Sequence, residues 1–276
     1  MTKILDGREL SLYIKERQAR QVRNLKARNI FPKLLIIRDS DNPVITKYVN
    51  LKRRYGEDVG IEVVDKKIDK VNDTASLEKA KKTILEANAD QTVSGIIVQL
   101  PLVEKNLTDD VVNLIDPKKD VDGLNQTTSP ANRKFESATA TAINWLMAGN
   151  GIELNQKKVA LVGYGRLVGQ PLARIMGKSG VAFEIFRHDS DLSLLKNYDV
   201  IITATGVPRL IKSAMVKPGA VVIDAGTASE DGVLVGDVDE SVRKRDDLSA
   251  ITPKIGGVGP MTVTVLFDDV IVAAEK

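Results

Sequence analysis

Cysteine is absent from the 276 residues. Its absence removes disulfides, thiolate metal sites and cysteine nucleophiles together, and it fits a reducing compartment. Histidine is nearly absent as well: His188 is the single one, so a histidine-based metal cluster is out of reach and no metal site is expected. Long apolar runs are missing. Residues 95–100 and 220–223 are typical of the apolar stretches present, far short of the roughly 20 residues a membrane-crossing helix needs. Residues 1–7 show neither a long apolar region nor a small-residue cleavage site, so no signal peptide is expected. A marked excess of either charge is lacking too. The net charge of +3 is too small to argue for a nucleic-acid partner, and the cluster Lys52-Arg53-Arg54 reads first as the solvated face of a helix. These absences point to a cytoplasmic protein with neither a membrane nor a nucleic-acid partner.

With 43% hydrophobic and 28% charged residues, the composition is that of a globular protein. The length accommodates two domains of ordinary size. Short apolar runs alternate with helical patterns. Strands are expected at 33–38, 61–64 and 95–100, and helices at 43–58 and 75–88. Asn42 before Pro43 supplies an N-cap and a first helical residue. Residues 116–137 are rich in Asp, Asn, Thr, Ser and Pro and break the rhythm, so they read as a long connection. Strands then follow at 158–162, 182–186, 200–203 and 220–223, with a helix at 167–178. Alternation of this kind argues for an α/β architecture with mainly parallel sheets. Residues 260–274 are apolar at mixed helical spacing and are expected to cross back onto the first half.

Gly163-Tyr164-Gly165-Arg166-Leu167-Val168-Gly169 follows a strand and opens a helix. Glycines in such a turn let a pyrophosphate approach backbone N–H groups, and the helix N-terminus stabilises the anion. The competing reading is a tight structural turn. The spacing is G-x-G-x-x-x-G, so the third glycine is displaced from the commoner pattern. Two further segments, Thr203-Ala204-Thr205-Gly206 and Asp224-Ala225-Gly226-Thr227, end strands where a nucleotide crevice forms. Arg187-His188-Asp189 is expected to end the strand after the turn, with the acid facing the adenine ribose. His188 alone reads as a packing or ribose-side residue.

In the first half, Tyr48 and Lys52 stand four apart on a helix and share a face. A phenol beside an amine is a workable acid–base pair, although the same spacing is also common surface decoration. Gln99 ends a strand just before Pro101, either lining a crevice or capping a strand edge. Lys119-Asp120-Val121-Asp122-Gly123 puts two carboxylates in the long connection, where a solvated turn is the plain alternative. Gly256-Gly257-Val258-Gly259-Pro260-Met261-Thr262 forms a glycine-rich loop before a helix, able to approach a flat ligand or simply to turn.

Together these segments resemble the bifunctional methylene-tetrahydrofolate dehydrogenase/cyclohydrolases. The resemblance runs in order through Leu5-Asp6-Gly7, Tyr48-Val49-Asn50-Leu51-Lys52, Val98-Gln99-Leu100-Pro101-Leu102, Lys119 to Gly123, Val235-Gly236-Asp237-Val238 and Gly256 to Thr262. It implies oxidation of 5,10-methylene-tetrahydrofolate to the methenyl compound with NADP (NAD as the alternative), then hydrolysis to 10-formyl-tetrahydrofolate. It implies two α/β domains: residues 1–137 binding folate and 138–259 a Rossmann-type NAD(P) domain, with the active-site cleft between them and 260–276 packing back on the first. A homodimer through the cofactor domain is also implied. Lys52 then corresponds to the general acid/base, Tyr48 to a folate-orienting residue, Gln99 to a partner holding Lys52, and Asp122 to the acceptor for the pterin edge. Leu100, Gly257 and Pro260 correspond to folate-pocket residues. Gly163, Tyr164, Gly165, Arg166, Gly169, His188, Asp189, Thr205, Gly206 and Thr227 correspond to the cofactor site.

The loops depart from the family pattern. Asp-Gly is followed here by Leu124-Asn125-Gln126-Thr127 instead of Phe-His-Pro, the Pro-Cys-Thr-Pro helix start reads Ser137-Ala138-Thr139-Ala140, and Pro-Val-Pro-Gly-Gly has become Pro253-Lys254-Ile255-Gly256-Gly257. The phosphate turn, usually Gly-Arg-Ser, is Gly163-Tyr164-Gly165. Weakened NADP selectivity and measurable use of NAD are therefore expected. Two rival readings are a shikimate-dehydrogenase-like oxidoreductase and a relative that binds cofactor without catalysis.

Overall fold

The computed structural model describes residues 1–129, 131–230 and 233–275. The chain opens with a short strand β1 (Lys3–Ile4) and a long helix α1 (Gly7–Ala27), followed by β2 (Lys33–Arg38), α2 (Pro43–Val59), β3 (Glu62–Lys67), α3 (Thr74–Ala89), β4 (Gly95–Val98) and α4 (Thr108–Val112). After the connection come α5 (Ala138–Gly149), β5 (Val159–Val162), α6 (Gly169–Lys178), β6 (Phe183–Phe186), β7 (Val200–Thr203) and β8 (Val221–Asp224). A small antiparallel pair, β9 (Ala228–Glu230) and β10 (Val233–Val235), then α7 (Glu240–Arg243), β11 (Ala250–Ile251) and α8 (Val258–Ala274), complete it.

Two compact units result. One comprises residues 13–138 and 263–276, the other residues 1–12 and 139–262. The first holds a parallel three-stranded sheet in the order β3-β2-β4. Every residue of β4 and the four central residues of β2 are buried, as expected of parallel strands covered on both faces. The second unit holds a parallel six-stranded sheet in the order β1-β11-β8-β7-β5-β6. Residues 1–12 group with this sheet rather than with 13–138, a boundary the sequence does not announce. Lys3 and Ile4 pair with Ala250 and Ile251, and two-residue strands carry too little pattern to read.

Local chemistry sets the ends of α2. The Asn42 side chain accepts from the Val44 N–H at 2.9 Å, and Pro43 needs no donor in the first turn. Gly60, at φ 83°, stops the helix by returning its N–H to Gly56 O at 2.8 Å, a left-handed position that suits glycine. Several sequence-expected limits shift: β4 ends at Val98 rather than 100, α6 begins at Gly169 rather than 167, and α8 begins at Val258, so Pro260 lies in the first turn of that helix rather than in the preceding loop. β6 ends at Phe186, as the 182–186 reading has it, which leaves Arg187, His188 and Asp189 beyond the strand.

The buried line of α1 is Ser11, Ile14, Gln18, Val22 and Leu25. Two of these five are polar, which is why no apolar stripe marked this helix. Gln18 is fully buried: its amide donates to Thr264 O at 2.8 Å and to Asp268 at 3.1 Å, while its carbonyl accepts from the Tyr55 hydroxyl at 2.8 Å. The Tyr55 ring packs on Phe267 with centroids 4.9 Å apart. α1, α2 and α8 are thus joined by a satisfied polar core.

Candidate active site

Within the three-stranded unit, one cluster joins residues far apart in sequence. Lys52 lies in α2, one turn beyond Tyr48. Its amine donates to Gln99 Oε1 at 2.6 Å. Gln99 follows the end of β4, its backbone N–H held by Ile37 O at 2.8 Å and its amide N–H donating to Leu100 O at 3.1 Å. That second bond fixes which end of the amide faces Lys52. The Leu100–Pro101 peptide bond is cis.

The motif from Lys119 to Gly123 divides its labour. Lys119 is buried, and its amine donates to the carbonyls of Ala87, Asn88 and Asp90 at 3.0, 2.8 and 2.7 Å. It closes the C-terminus of α3, where exposed carbonyls favour a cation. Asp120 accepts from the N–H groups of Leu124 at 3.0 Å and Asn125 at 2.8 Å, which makes it a turn residue, although a buried one and not the solvated one that the plain reading expected. Gly123 has φ 62°, and a side chain there would strike the backbone of Glu136 and Ser137. Asp122 is the carboxylate left for other work. It accepts from the N–H of Ala138, and Lys52 is its opposite charge.

The electrostatics of the cluster are mutually opposed. Burial lowers the Lys52 amine below its ordinary value, while the Asp122 charge partly restores it. Burial pushes the Asp122 carboxyl up to about 6 against the pull of Lys52, and the nearby Asp120 adds to the rise. Burial also raises the Tyr48 phenol, which therefore stays protonated at neutral pH. The sequence reading missed one further carboxyl. Asp269 of α8 is held well above the usual range by burial, by Asp268 and by Asp122, with Lys134 opposing. A side chain at Gly95 would meet Val121 at 2.8 Å and Val270 at 3.2 Å; this close approach brings the neighbours of Asp122 and Asp269 onto β4. No local pattern relates positions 122 and 269.

The six-stranded unit gathers the other candidates at the C-terminal ends of its central strands. β5 has β6 on one side and β7 on the other, so the glycine turn after β5 lies where the strand order reverses. Gly163 has φ 94°, and a side chain there would meet Ala204 O at 2.7 Å. One at Gly169 would meet Gly163 O at 2.3 Å, so α6 packs directly on the turn. A side chain at Gly165 would meet nothing within 4 Å. Two glycines are therefore packing glycines, and the middle one leaves its backbone open to solvent. Burial lowers the half-buried Arg166 guanidinium. Thr205 and Gly206 follow β7. The Thr205 N–H donates to the buried Asp237 at 2.6 Å, and Asp237 also accepts from Thr203 Oγ1 at 2.7 Å. Gly206 approaches Thr227 O, so the loops after β7 and β8 meet. His188 and Asp189 are exposed in the turn after β6.

Gly257 and Pro260 also belong to this unit. The Gly7 N–H donates to Gly256 O at 2.8 Å, and Gly7 is so close to Gly257 O that a side chain would lie 2.0 Å from it. Arg8 donates to Ile255 O at 3.2 Å. The Leu5-Asp6-Gly7 motif is thus the support of the loop before α8. Among the described residues no group of acidic or histidine side chains could hold a metal, and no helix is long and apolar enough to cross a membrane.

A glycine turn at the switch point of a parallel sheet, with an amine–amide–carboxylate cluster in the companion unit, defines a dinucleotide-dependent α/β enzyme. The family model for the tetrahydrofolate dehydrogenase/cyclohydrolase catalytic domain matches residues 5–122, and that for the NAD(P)-binding domain of the same family matches residues 137–276. The bifunctional protein FolD of Lactobacillus delbrueckii subsp. bulgaricus is 39% identical, with 98% of this chain and 96% of the relative covered. The bifunctional FolD methylenetetrahydrofolate dehydrogenase/cyclohydrolase of Campylobacter jejuni superposes with a TM-score of 0.91 at 33% identity, covering 100% of this chain and 99% of that one. The Trypanosoma brucei enzyme, solved with NADP and an inhibitor, gives 0.88 at 26% identity and covers 99% and 97%. Shikimate 5-dehydrogenase of Thermus thermophilus, at 10% identity and a TM-score of 0.53 over 88% of this chain and 98% of that one, shares the fold alone. The chain belongs to the tetrahydrofolate dehydrogenase/cyclohydrolase family. It is accordingly a bifunctional enzyme of folate one-carbon metabolism, with an NAD(P)-binding domain.

Proposed function

We propose that Lys52 is the acid–base group of the hydrolysis, held by Gln99 and tuned by Asp122. The observation that carries this reading is the 2.6 Å bond from the Lys52 amine to Gln99 Oε1, in surroundings that favour the neutral amine. In the first reaction the bridging methylene carbon of 5,10-methylene-tetrahydrofolate loses hydride, and a methenyl cation remains, spread over both folate nitrogens. The bound dinucleotide supplies the hydride acceptor. The new positive charge disfavours a protonated Lys52 nearby, so the amine is in its basic form when hydrolysis begins. Water then bonds to the methenyl carbon and gives one proton to Lys52. Collapse of the adduct breaks the bond to N5, which takes up the hydroxyl proton, and the formyl group stays on N10. One proton is released overall.

Asp122 accepts from the pterin edge, where paired carboxylate oxygens match adjacent N–H donors. Tyr48 orients the folate through its half-buried ring. Leu100, Gly257 and Pro260 are the further folate-binding residues that the family resemblance implies. Gly163, Tyr164, Gly165, Arg166 and Gly169 form the phosphate turn. His188, Asp189, Thr205, Gly206 and Thr227 line the cofactor site. A cytoplasmic homodimer, paired through the cofactor unit, is what the family resemblance implies, and light scattering checks the assembly.

Methenyl-tetrahydrofolate absorbance tests the function directly. Its formation is expected with methylene-tetrahydrofolate and a nicotinamide cofactor, and its disappearance without any dinucleotide. An enzyme that binds folate but does neither would overturn the reading.

A further inference from the structure

The residue at the end of β6 decides which dinucleotide this fold accepts. In parallel nucleotide-binding sheets, the strand after the glycine turn ends beside the adenine ribose. An acid there accepts from a free 2′-hydroxyl, and an arginine accommodates a 2′-phosphate. The sequence reading gave this place to Asp189. In the structure β6 ends at Phe186, so the first residue beyond it is Arg187. Asp189 lies further on, in a turn closed by Arg187 N–H to Ser190 Oγ at 2.9 Å and Ser190 N–H to Arg187 O at 3.1 Å.

Arg187 is exposed, yet it has a platform. Its guanidinium carbon lies 4.4 Å from the centroid of the Tyr164 ring. Tyr164 is the second residue of the glycine turn, where the family pattern carries arginine. The turn is itself anchored: the Gly163 N–H donates to Phe186 O at 2.9 Å, and the Gln170 amide donates to Tyr164 O at 3.3 Å. Adjacent parallel strands β5 and β6 thus deliver the ring and the cation to one spot. A guanidinium stacked on a ring face keeps its in-plane N–H donors available. Among the described residues no carboxylate pairs with them.

We propose that Tyr164 and Arg187 together form a 2′-phosphate clamp that makes this enzyme select NADP, the cation arriving from the end of β6 instead of from the glycine turn. The proposal rests on the dinucleotide reading of the six-stranded unit and reverses the weakened NADP selectivity expected from the turn alone. Arg187 is a binding residue, and Tyr164 positions it by holding the guanidinium flat.

Calorimetric titration of 2′,5′-ADP and 5′-AMP against the full-length protein tests it without turnover. Wild type is expected to bind 2′,5′-ADP roughly 10- to 100-fold more tightly, the range of charge-assisted hydrogen bonds. Arg187→Ala should erase that ratio and leave 5′-AMP affinity unchanged, and Tyr164→Leu should reduce it partway. Arg166→Ala should preserve it, and Asp189→Ala should enlarge it by removing a nearby negative charge. A wild type without preference, or a preference that survives Arg187→Ala, overturns the clamp. Failure of both nucleotides to bind overturns the dinucleotide reading and the clamp with it. Circular dichroism spectra and thermal midpoints matching wild type check that the fold of each variant is intact.

Discussion

Lys52 answers to two opposing influences, burial that favours the neutral amine and the Asp122 charge that favours the ammonium. Replacing Lys52 by Met removes the base and keeps the apolar stem. Hydrolysis of the methenyl compound should fall by about 10²-fold or more, while 2′,5′-ADP still binds. Near-wild-type hydrolysis would rule out the assignment. Asp122→Asn tests the electrostatics from the other side. Without the anion, the Lys52 amine titrates lower still, so the alkaline-rising limb of hydrolysis at saturating substrate should move to lower pH. The variant also changes stability with pH. An acid held at about 6 in the fold, against about 3.9 unfolded, binds its proton more tightly in the native state. Wild type should therefore lose stability relative to Asp122→Asn as pH rises from about 4 to about 6, by at most about 3 kcal/mol and less to the extent that solvent reaches the group. Thermal midpoints of both proteins across that interval decide it; a constant difference contradicts the burial. Of this cluster, the residue types and the Tyr48–Lys52 spacing were legible in sequence. The division of labour among Lys119, Asp120 and Asp122 was not, because it depends on where the carbonyls of α3 end. Asp269 was illegible for a similar reason: only the packing of α8 relates it to Asp122.

Helix ends and turns show the same split at the next scale. α2 was readable at its start, since Asn42 and Pro43 state the N-terminus chemically. α6 was misplaced by two residues because Leu167 and Val168 look helical, yet the chain must first clear the phosphate turn before Gly169 can pack on it. That packing gives a clean separation of activities. Gly169→Ala would force a methyl group within 2.3 Å of Gly163 O and 2.7 Å of Tyr164 Cα, backbone atoms that cannot swing aside. Dinucleotide binding and methylene oxidation should drop at least about tenfold, a cost of about 1.4 kcal/mol or more. Hydrolysis of added methenyl compound should persist, because it needs no dinucleotide. Parallel loss of both activities would mean that the turn supports more than the cofactor. α1 escaped the sequence reading altogether, its buried line being interrupted by Ser11 and Gln18, and α5 had no polar face to reveal its period.

For the molecule as a whole, the chain enters and leaves the three-stranded unit within α1, at the start of α5 and within α8. The polar core of Gln18, Tyr55 and Thr264 joins segments more than 200 residues apart in sequence. Tyr55→Phe would leave the buried Gln18 carbonyl without its 2.8 Å donor and should cost about 1–3 kcal/mol. Urea titration followed by loss of methenyl hydrolysis measures it; an unchanged midpoint would mean that another donor takes over. The apolar character of 260–274 was legible, whereas its partners were not, since no local signal pairs a glutamine near the start with a threonine near the end.

That long-range closure also has a temporal side. On the ribosome, β2, α2, β3 and β4 emerge early, but Phe267 and Val270, which lie against Tyr55 and Gly95, emerge only after residues 139–262 have been made. At ordinary elongation speeds that interval lasts roughly 6–25 s. Throughout it the nascent sheet is without the helix that covers Gly95 and Tyr55. The early segment therefore lacks part of its core until translation delivers α8.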